Sequence, residues 1–372
     1  MSIRNRVFPY VMRVFRGNVR VGQLVDYTRN RFVPKTEVMS AKPTHLWFFI
    51  TSRCNFRCDM CPTHSTKIPE SYLHRHCEAP DMSLDLLRFV LDLFPNVIRV
   101  PLIGTGEPLL NPHLFDMVRE CIRRKMIVDT VSNGYILDAY IPDFLRSGID
   151  LLCISVNGHT AREFQRMTGN DEGHYSRILK NAEAMVRARG NKKARPRIEL
   201  DFIIDSFNYG QMEDMIKIGE GIGADVVNFN GFVASPYPGF TPEERCLYAD
   251  DPAVREELAG LMSKKYRCYV RWPYLLRPPK DKKSVCRWPF SILTVDGAGD
   301  VGGCPRAVLN SHKNGKVFDK NPWNNEFFKD LRKRHLQGDL LWPCESCVES
   351  CGVEPGQVIK SKYQRSSKSE RI

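Results

Sequence analysis

The sequence predicts an α/β fold built on a parallel sheet that curves into an open barrel. Three observations carry this. From residue 45 onward, short apolar strand patterns alternate with amphipathic helix patterns. The alternation is regular, which places parallel strands inside and helices outside. Glycine-containing turns recur after successive strands, at the ends where such sheets carry their functional loops.

The elements follow in order. Residues 45–52 form a buried strand through Leu46, Trp47, Phe48, Phe49 and Ile50. Residues 83–94 are helical, with Asp81 or Ser83 as the cap. A strand at 97–103 precedes a helix at 113–125, and a strand at 127–131 precedes a short helix at 139–147. Then come a strand at 150–156, a helix at 175–189, a strand at 197–204, a helix at 211–221 and a strand at 225–229. The chain divides into a basic N-terminal extension (1–44), the barrel (45–233), a Pro- and aromatic-rich bridging segment (234–285), a small Cys-rich domain (286–357) and a basic tail (358–372).

Composition excludes several classes. With 42% hydrophobic residues in 372, the chain can bury a core and is not disordered. Its 25 Gly and 24 Pro show no triplet period, so it is not collagen-like. Apolar runs such as 46–50 are too short to span a bilayer. The net charge is +12, and residues 1–45 hold nine Lys/Arg against two acids. Such an excess suits nucleic acid, an anionic membrane surface or an anionic small substrate, or it simply solvates the ends. No RNA-binding signature or zinc-finger spacing is present, so nucleic acid is not expected as a partner. Residues 1–25 contain five Arg and no acid, interleaved with apolar residues. This pattern fits a short helix packed on the main domain, and also fits contact with a membrane surface. It is poor in Ser for a transit peptide and lacks a secretory apolar stretch, so the expected location is cytoplasmic.

Thirteen cysteines in a chain of this kind argue against a disulfide framework. Three crowd into Cys54-Asn-Phe-Arg-Cys58-Asp-Met-Cys61. Five more are Cys286, Cys304, Cys344, Cys347 and Cys351; Cys77, Cys121, Cys153, Cys246 and Cys268 are scattered. Cys121 and Cys153 lie in helix and strand patterns and read as buried small apolar residues. Three thiolates in one tight loop can cap three irons of a four-iron cluster and leave the fourth open to an outside ligand. Structural zinc wants a closed tetrahedral set, and only His64 stands near enough to complete one.

The cysteine loop follows the first strand. Gly104-Thr105-Gly106-Glu107-Pro108 follows the second, Ser132-Asn133-Gly134 the third and Ser155-Val156-Asn157-Gly158 the fourth. Glycines admit close backbone approach, Glu107 offers a carboxylate to an ammonium group, and the Ser and Asn side chains suit hydroxyls. Each motif alone is an ordinary turn; together they line one rim.

On these motifs, residues 46–232 resemble the radical S-adenosylmethionine (radical SAM) superfamily. The resemblance implies a partial (β/α)6 TIM-like barrel. It implies a 4Fe–4S cluster on Cys54, Cys58 and Cys61, with SAM chelating the open iron. Thr105-Gly106-Glu107-Pro108 matches the family's Gly-Gly-Glu-Pro motif, which meets the SAM amino group, with Thr105 in place of a glycine. Ser132, Ser155, Asn157 and Arg166 resemble residues that reach the SAM carboxylate or ribose; Asn157 stands where many relatives have Asp, and Met60 where an aromatic is usual. The family's chemistry is reductive cleavage of SAM to a 5′-deoxyadenosyl radical that abstracts hydrogen. The electron comes from a reducing partner such as flavodoxin or ferredoxin.

The C-terminal cysteines resemble the SPASM/twitch domains of the same superfamily. That implies one auxiliary 4Fe–4S cluster on Cys286, Cys304, Cys344 and Cys347. Cys351 is then an alternative ligand, a hydrogen donor or an inert thiol, and the C-x2-C end is also compatible with zinc. Relatives act on peptides or on sugars and other small metabolites. Only about 45 residues precede the first strand, fewer than a peptide-recognition domain needs. The expected enzyme is therefore an oxidoreductase or epimerase acting on a small substrate, sugar-like or anionic. Tyr237, Tyr248, Tyr269, Trp272 and Tyr274 line its pocket or pack the domain junction. The alternatives are a peptide-modifying maturase and a non-catalytic iron–sulfur scaffold or electron-transfer protein.

Overall fold

The computed structural model describes residues 19–61, 63–67, 79–232, 242–277, 286–305, 314–340, 344, 347 and 351–359. The first helix among the described residues, α1, is Val21–Phe32. Residues 1–18, on which the membrane-contact expectation rests, lie outside the described residues, as do Tyr237, Cys77 and the tail from 360. Among the described residues no helix is long and apolar enough to cross a membrane.

Strands β1 (His45–Phe49), β2 (Arg99–Ile103), β3 (Ile127–Ser132), β4 (Leu151–Ser155), β5 (Arg197–Ile204) and β6 (Val226–Gly231) pair in sequence order, all parallel. Between them run α2 (Leu84–Leu93), α3 (Leu114–Arg123), α4 (Ile141–Ser147), α5 (Ala161–Thr168), α6 (Glu172–Arg189) and α7 (Met212–Ile222). This is the expected partial (β/α)6 TIM-like barrel. Ser83 caps α2 by accepting from the Leu86 N–H at 3.1 Å, as the sequence suggested. Helix α5 was not foreseen: it has only eight residues, opened by the Thr160 cap and closed by Gly169 at φ +71°.

The alternation of burial along the strands tells the two faces of the sheet apart. Ile198, Leu200, Phe202 and Ile204 of β5 are fully buried under the helices. Glu199, Asp201 and Ile203 therefore face the other side, the concave lumen. The same phase puts Cys153 and Ser155 of β4 on the lumen, because Cys153 is opposite Glu199 and Ser155 is opposite Asp201.

The sheet extends beyond the six strands. After α8 (Pro252–Ser263), β7 (Tyr269–Arg271) joins β6 in parallel. The short β8 (Leu275–Leu276) leaves the barrel and pairs with β11 (Gly352–Val353). β9 (Ile292–Asp296) lies parallel to β1 and carries β10 (Val301–Gly302) antiparallel on its outer edge. The full order is β10-β9-β1-β2-β3-β4-β5-β6-β7.

The segment before β1 and α9 (Glu326–Gln337) are fastened by two buried side chains. Trp323 donates Nε1–H to the Ala41 carbonyl at 2.9 Å. Arg332, fully buried, donates to the Pro289 and Trp323 carbonyls at 2.9 and 2.8 Å and to Asn324 at 2.7 Å. Its guanidinium lies 4.3 Å from the Trp323 ring centroid, and burial lowers its pKa to about 9.

Candidate active site

The cysteine loop leaves the C-terminal end of β1 and is anchored by its aromatic residue. Phe56 is 4% exposed and stacks on His174 at 5.2 Å, with Tyr135 and Phe164 around it. The Asp59 N–H donates to the Thr168 carbonyl at 2.8 Å, so the loop also rests on the α5–α6 turn. Cys54, Cys58 and Cys61 are all free thiols, half-buried. The sulfurs accept N–H bonds from Phe56 at 3.4 Å, from the Asn170 side chain at 3.3 Å and from Thr63 at 3.4 Å, respectively. Burial pushes the Cys54 thiol up to about 11 and Cys58 up to about 12, and raises Cys61. Loading a metal group here therefore displaces protons.

The spacing of the donors discriminates between metals. A zinc ion with Zn–S bonds of 2.3 Å holds its sulfurs about 3.8 Å apart. Among the described residues, the only set of three Cys, His, Asp or Glu donors lying mutually within 4.8 Å is Cys153, Glu199 and Asp201. Cys54, Cys58 and Cys61 do not form such a set: at least two of their sulfurs lie more than 4.8 Å apart, wider than zinc holds them and compatible with a larger inorganic core.

The rim motifs pack directly on this loop. The Gly106 N–H donates to the Thr51 carbonyl at 3.2 Å and the Glu107 N–H to the Arg53 carbonyl at 2.8 Å. A Cβ on Gly106 would stand 1.9 Å from the Arg53 carbonyl oxygen, so only glycine fits. Glu107 is 2% exposed. Its Oε1 accepts from the Leu109 N–H at 3.1 Å and its Oε2 from the Asn133 N–H at 2.7 Å. Burial nonetheless raises its pKa to about 7 against these donors and Ser132.

Ser132 is buried and accepts from the Gly134 N–H at 3.0 Å, setting the turn after β3. Asn133, not singled out as a site residue from sequence, bridges β3 to the cysteine loop by donating to Asn55 at 2.7 Å. Ser155 ends β4, half-buried on the lumen face, and Thr105 is half-buried on the rim. Asn157 adopts φ +56° and its side-chain oxygen accepts from the Ile203 N–H at 3.3 Å, so it fastens β4 to β5. Arg166 is held by Glu163 at 2.8 and 2.5 Å and lies 3.8 Å from the buried Asp205, with its side chain 38% exposed. Asn170 and Phe56 were likewise missed. Their only signal was position: one after an α5 that was not predicted, the other as the single large apolar residue between Cys54 and Cys58.

A second cysteine group forms near β9. Burial raises the Cys286 thiol, and its neighbours Cys304, Cys347 and Cys344 push in the same direction. Cys286 is thus within electrostatic reach of the other three. Cys351, 1% exposed, packs instead with Phe232, Cys246 and Leu276 and points its sulfur at the Cys344 carbonyl, 3.8 Å away. The bridging aromatics mostly pack a junction: Trp272 stacks on Phe229 at 6.1 Å, and the Tyr274 hydroxyl reaches Glu354 at 3.3 Å.

Residues 48–198 match the family model described as the Radical SAM superfamily. The chain carries a radical SAM domain. Domains of this superfamily work with SAM and a 4Fe–4S cluster, and the cysteine loop and Glu107 rim fit both. Over longer spans the chain is similar to the tungsten-containing aldehyde ferredoxin oxidoreductase cofactor-modifying protein of Pyrococcus furiosus, 26% identical over 81% of each chain. It is also similar to the PqqA peptide cyclase of Streptomyces rochei, 25% identical over 82% of each. The radical SAM domain and its extensions share their fold with Streptococcus suis SuiB bound to its precursor peptide SuiA (TM-score 0.59, 13% identity, 88% of this chain and 73% of that one). They share it also with anSMEcpe bound to AdoMet and the Cp18Cys peptide (TM-score 0.58, 14% identity, 87% and 95%).

Proposed function

We propose that this radical SAM enzyme oxidises a small substrate inside the barrel, with one-electron help from an auxiliary 4Fe–4S cluster. The observation that carries the reading is the second cysteine group: Cys304, Cys344 and Cys347 all lie near enough to Cys286 to raise its thiol, while Cys351 packs among apolar side chains with its sulfur toward the Cys344 carbonyl. Four thiolates fill a four-iron cluster and leave no iron open, so its work is electron transfer rather than substrate chelation. The cysteine loop takes the other cluster through Cys54, Cys58 and Cys61. When bound, SAM and that cluster supply the 5′-deoxyadenosyl radical. The protein's own part is to position and shield. Glu107 receives the SAM ammonium group, and Thr105, Gly106, Ser132, Ser155, Asn157 and Arg166 complete its cradle. The packed aromatics around Phe56 keep water from beneath the loop. A reducing partner supplies the electron.

Cys351 disfavours the epimerase reading, because its sulfur faces a carbonyl within an apolar cluster. Similarity over most of the chain to a cofactor-modifying protein supports a small substrate. Equal similarity to a peptide cyclase supports a second reading, a peptide-modifying enzyme. The test of the common core is anaerobic reconstitution, reduction with dithionite and assay of SAM turnover. Release of 5′-deoxyadenosine is expected; its absence from cluster-replete protein indicates a non-catalytic iron–sulfur protein.

A further inference from the structure

One group of side chains on the lumen face belongs to none of the radical SAM motifs. Cys153 of β4 and Glu199 and Asp201 of β5 place a sulfur and two carboxylate oxygens within 4.8 Å of one another. Asp201 stands opposite Ser155 in the β4–β5 register, so the group lies immediately beside the proposed SAM rim. Asp201 accepts from Asn230 at 2.7 Å and from Asn228. Glu199 is 3% exposed; its Oε1 accepts from Arg271 at 2.7 Å, and its Oε2 is buried with no partner.

The charges do not balance. Arg99 and Asp129, the ion pair on β2 and β3, satisfy each other with bonds of 2.7 and 3.0 Å. Among the described residues, Glu199 and Asp201 share one cation, Arg271, whose side chain is 49% exposed and so partly screened. Burial and then Glu199 push Asp201 toward its protonated form. Among the described residues one carboxyl is left without a cation and the Glu199 Oε2 without a donor. Both are costly in a low-dielectric interior, and both are relieved by a ligand that is cationic and donates hydrogen bonds.

We propose that Glu199 and Asp201 bind the ammonium group of an amine-bearing substrate inside the barrel. The proposal rests on the reading of the barrel as the substrate chamber of a radical SAM enzyme, and it replaces the anionic substrate that the net charge of +12 suggested. A monocation neutralises the group with Cys153 left as a thiol. A divalent metal would need the thiolate as well.

The experiment uses the full chain with both clusters reconstituted and SAM present. Its thermal melting is followed with three ring probes at equal concentration: cyclohexylammonium, cyclohexanol and cyclohexanecarboxylate. The expected result is a rise in Tm with cyclohexylammonium alone. Its apparent affinity should fall about tenfold or more in both Glu199→Gln and Asp201→Asn, as expected on removal of a buried charge contact. The second variant keeps the test open should the first, which removes the ion-pair partner of Arg271, not fold. An equal response to cyclohexanol or to the carboxylate, or an undiminished response in a folded variant, overturns the proposal. So does stoichiometric Zn2+ uptake that either variant abolishes, since that makes the group a metal site. Release of 5′-deoxyadenosine by the wild type is measured in parallel. Its failure removes the radical SAM reading, whereas ammonium selectivity that fails beside normal release removes only the amine proposal.

Discussion

Two carboxyls, the buried Glu107 and the half-buried Asp201, set the chemistry of the lumen. Glu107 is held by two backbone N–H groups and is pushed up to about 7 by burial, a state that an incoming ammonium group relieves. Replacing it by Gln keeps the shape and removes the charge. A hydrogen bond to a charged group contributes about 1.5–3 kcal/mol, so Glu107→Gln should weaken SAM binding by about 10- to 100-fold in equilibrium dialysis. An unchanged affinity would place the SAM amine elsewhere. Asp201 is likewise raised to about 7, from 3.8, by burial and then by Glu199. A carboxyl raised on folding binds more protons in the native state, so its contribution is fully present below the unfolded pKa and is lost as pH rises through the folded one. The stability of Asp201→Asn relative to wild type should therefore climb between about pH 4 and 7 and then level off. Chemical denaturation across that range reads the slope; a flat difference would put the Asp201 carboxyl at its ordinary value.

The rim and the cysteine loop act as one structural piece because backbone meets backbone. Gly106 lies so close to the Arg53 carbonyl that Gly106→Ala must part the two loops. Overpacking against rigid backbone costs about 1–3 kcal/mol, and here it should also loosen the cluster ligands. The expected outcome is a lower unfolding midpoint together with reduced iron retention. A variant with wild-type stability and full iron would show that the loops move independently. At this scale much was legible in the sequence. The six strands, five of the helices and the Ser83 cap lie within a few residues of their expected places, because each is a local periodic signal. Thr105, Gly106, Glu107 and Ser132 gather on one rim because strand C-terminal ends gather there. Asn133 and Asn170 were not legible as site residues: what they hold is made by contacts across 78 and 112 residues, and no spacing rule reaches that far.

On the scale of the whole molecule, the C-terminal chain returns to the barrel. β9 lies parallel to β1, and the buried Trp323 and Arg332 lock the segment around residues 37–41 against it. The second cysteine group is thereby carried on an extension of the same sheet that holds the first: Cys54 follows β1, Cys286 precedes β9, and the two strands are hydrogen-bonded neighbours. Sequence could show two cysteine groups, but neither Ile292–Asp296 as a sheet neighbour of β1 nor the lumen acidity of Glu199 and Asp201. Strand order is a long-range property, and a +12 net charge averages over a surface that the lumen does not share. The central claim is two four-iron clusters in one chain, and it is tested most directly by counting iron and sulfide in the anaerobically reconstituted protein and two multiple variants. The account predicts about eight irons per wild-type chain and about four when Cys54, Cys58 and Cys61 are all Ala. It again predicts about four when Cys286, Cys304, Cys344 and Cys347 are all Ala. About four irons in the wild type, falling to none in the first variant and unchanged in the second, would contradict it.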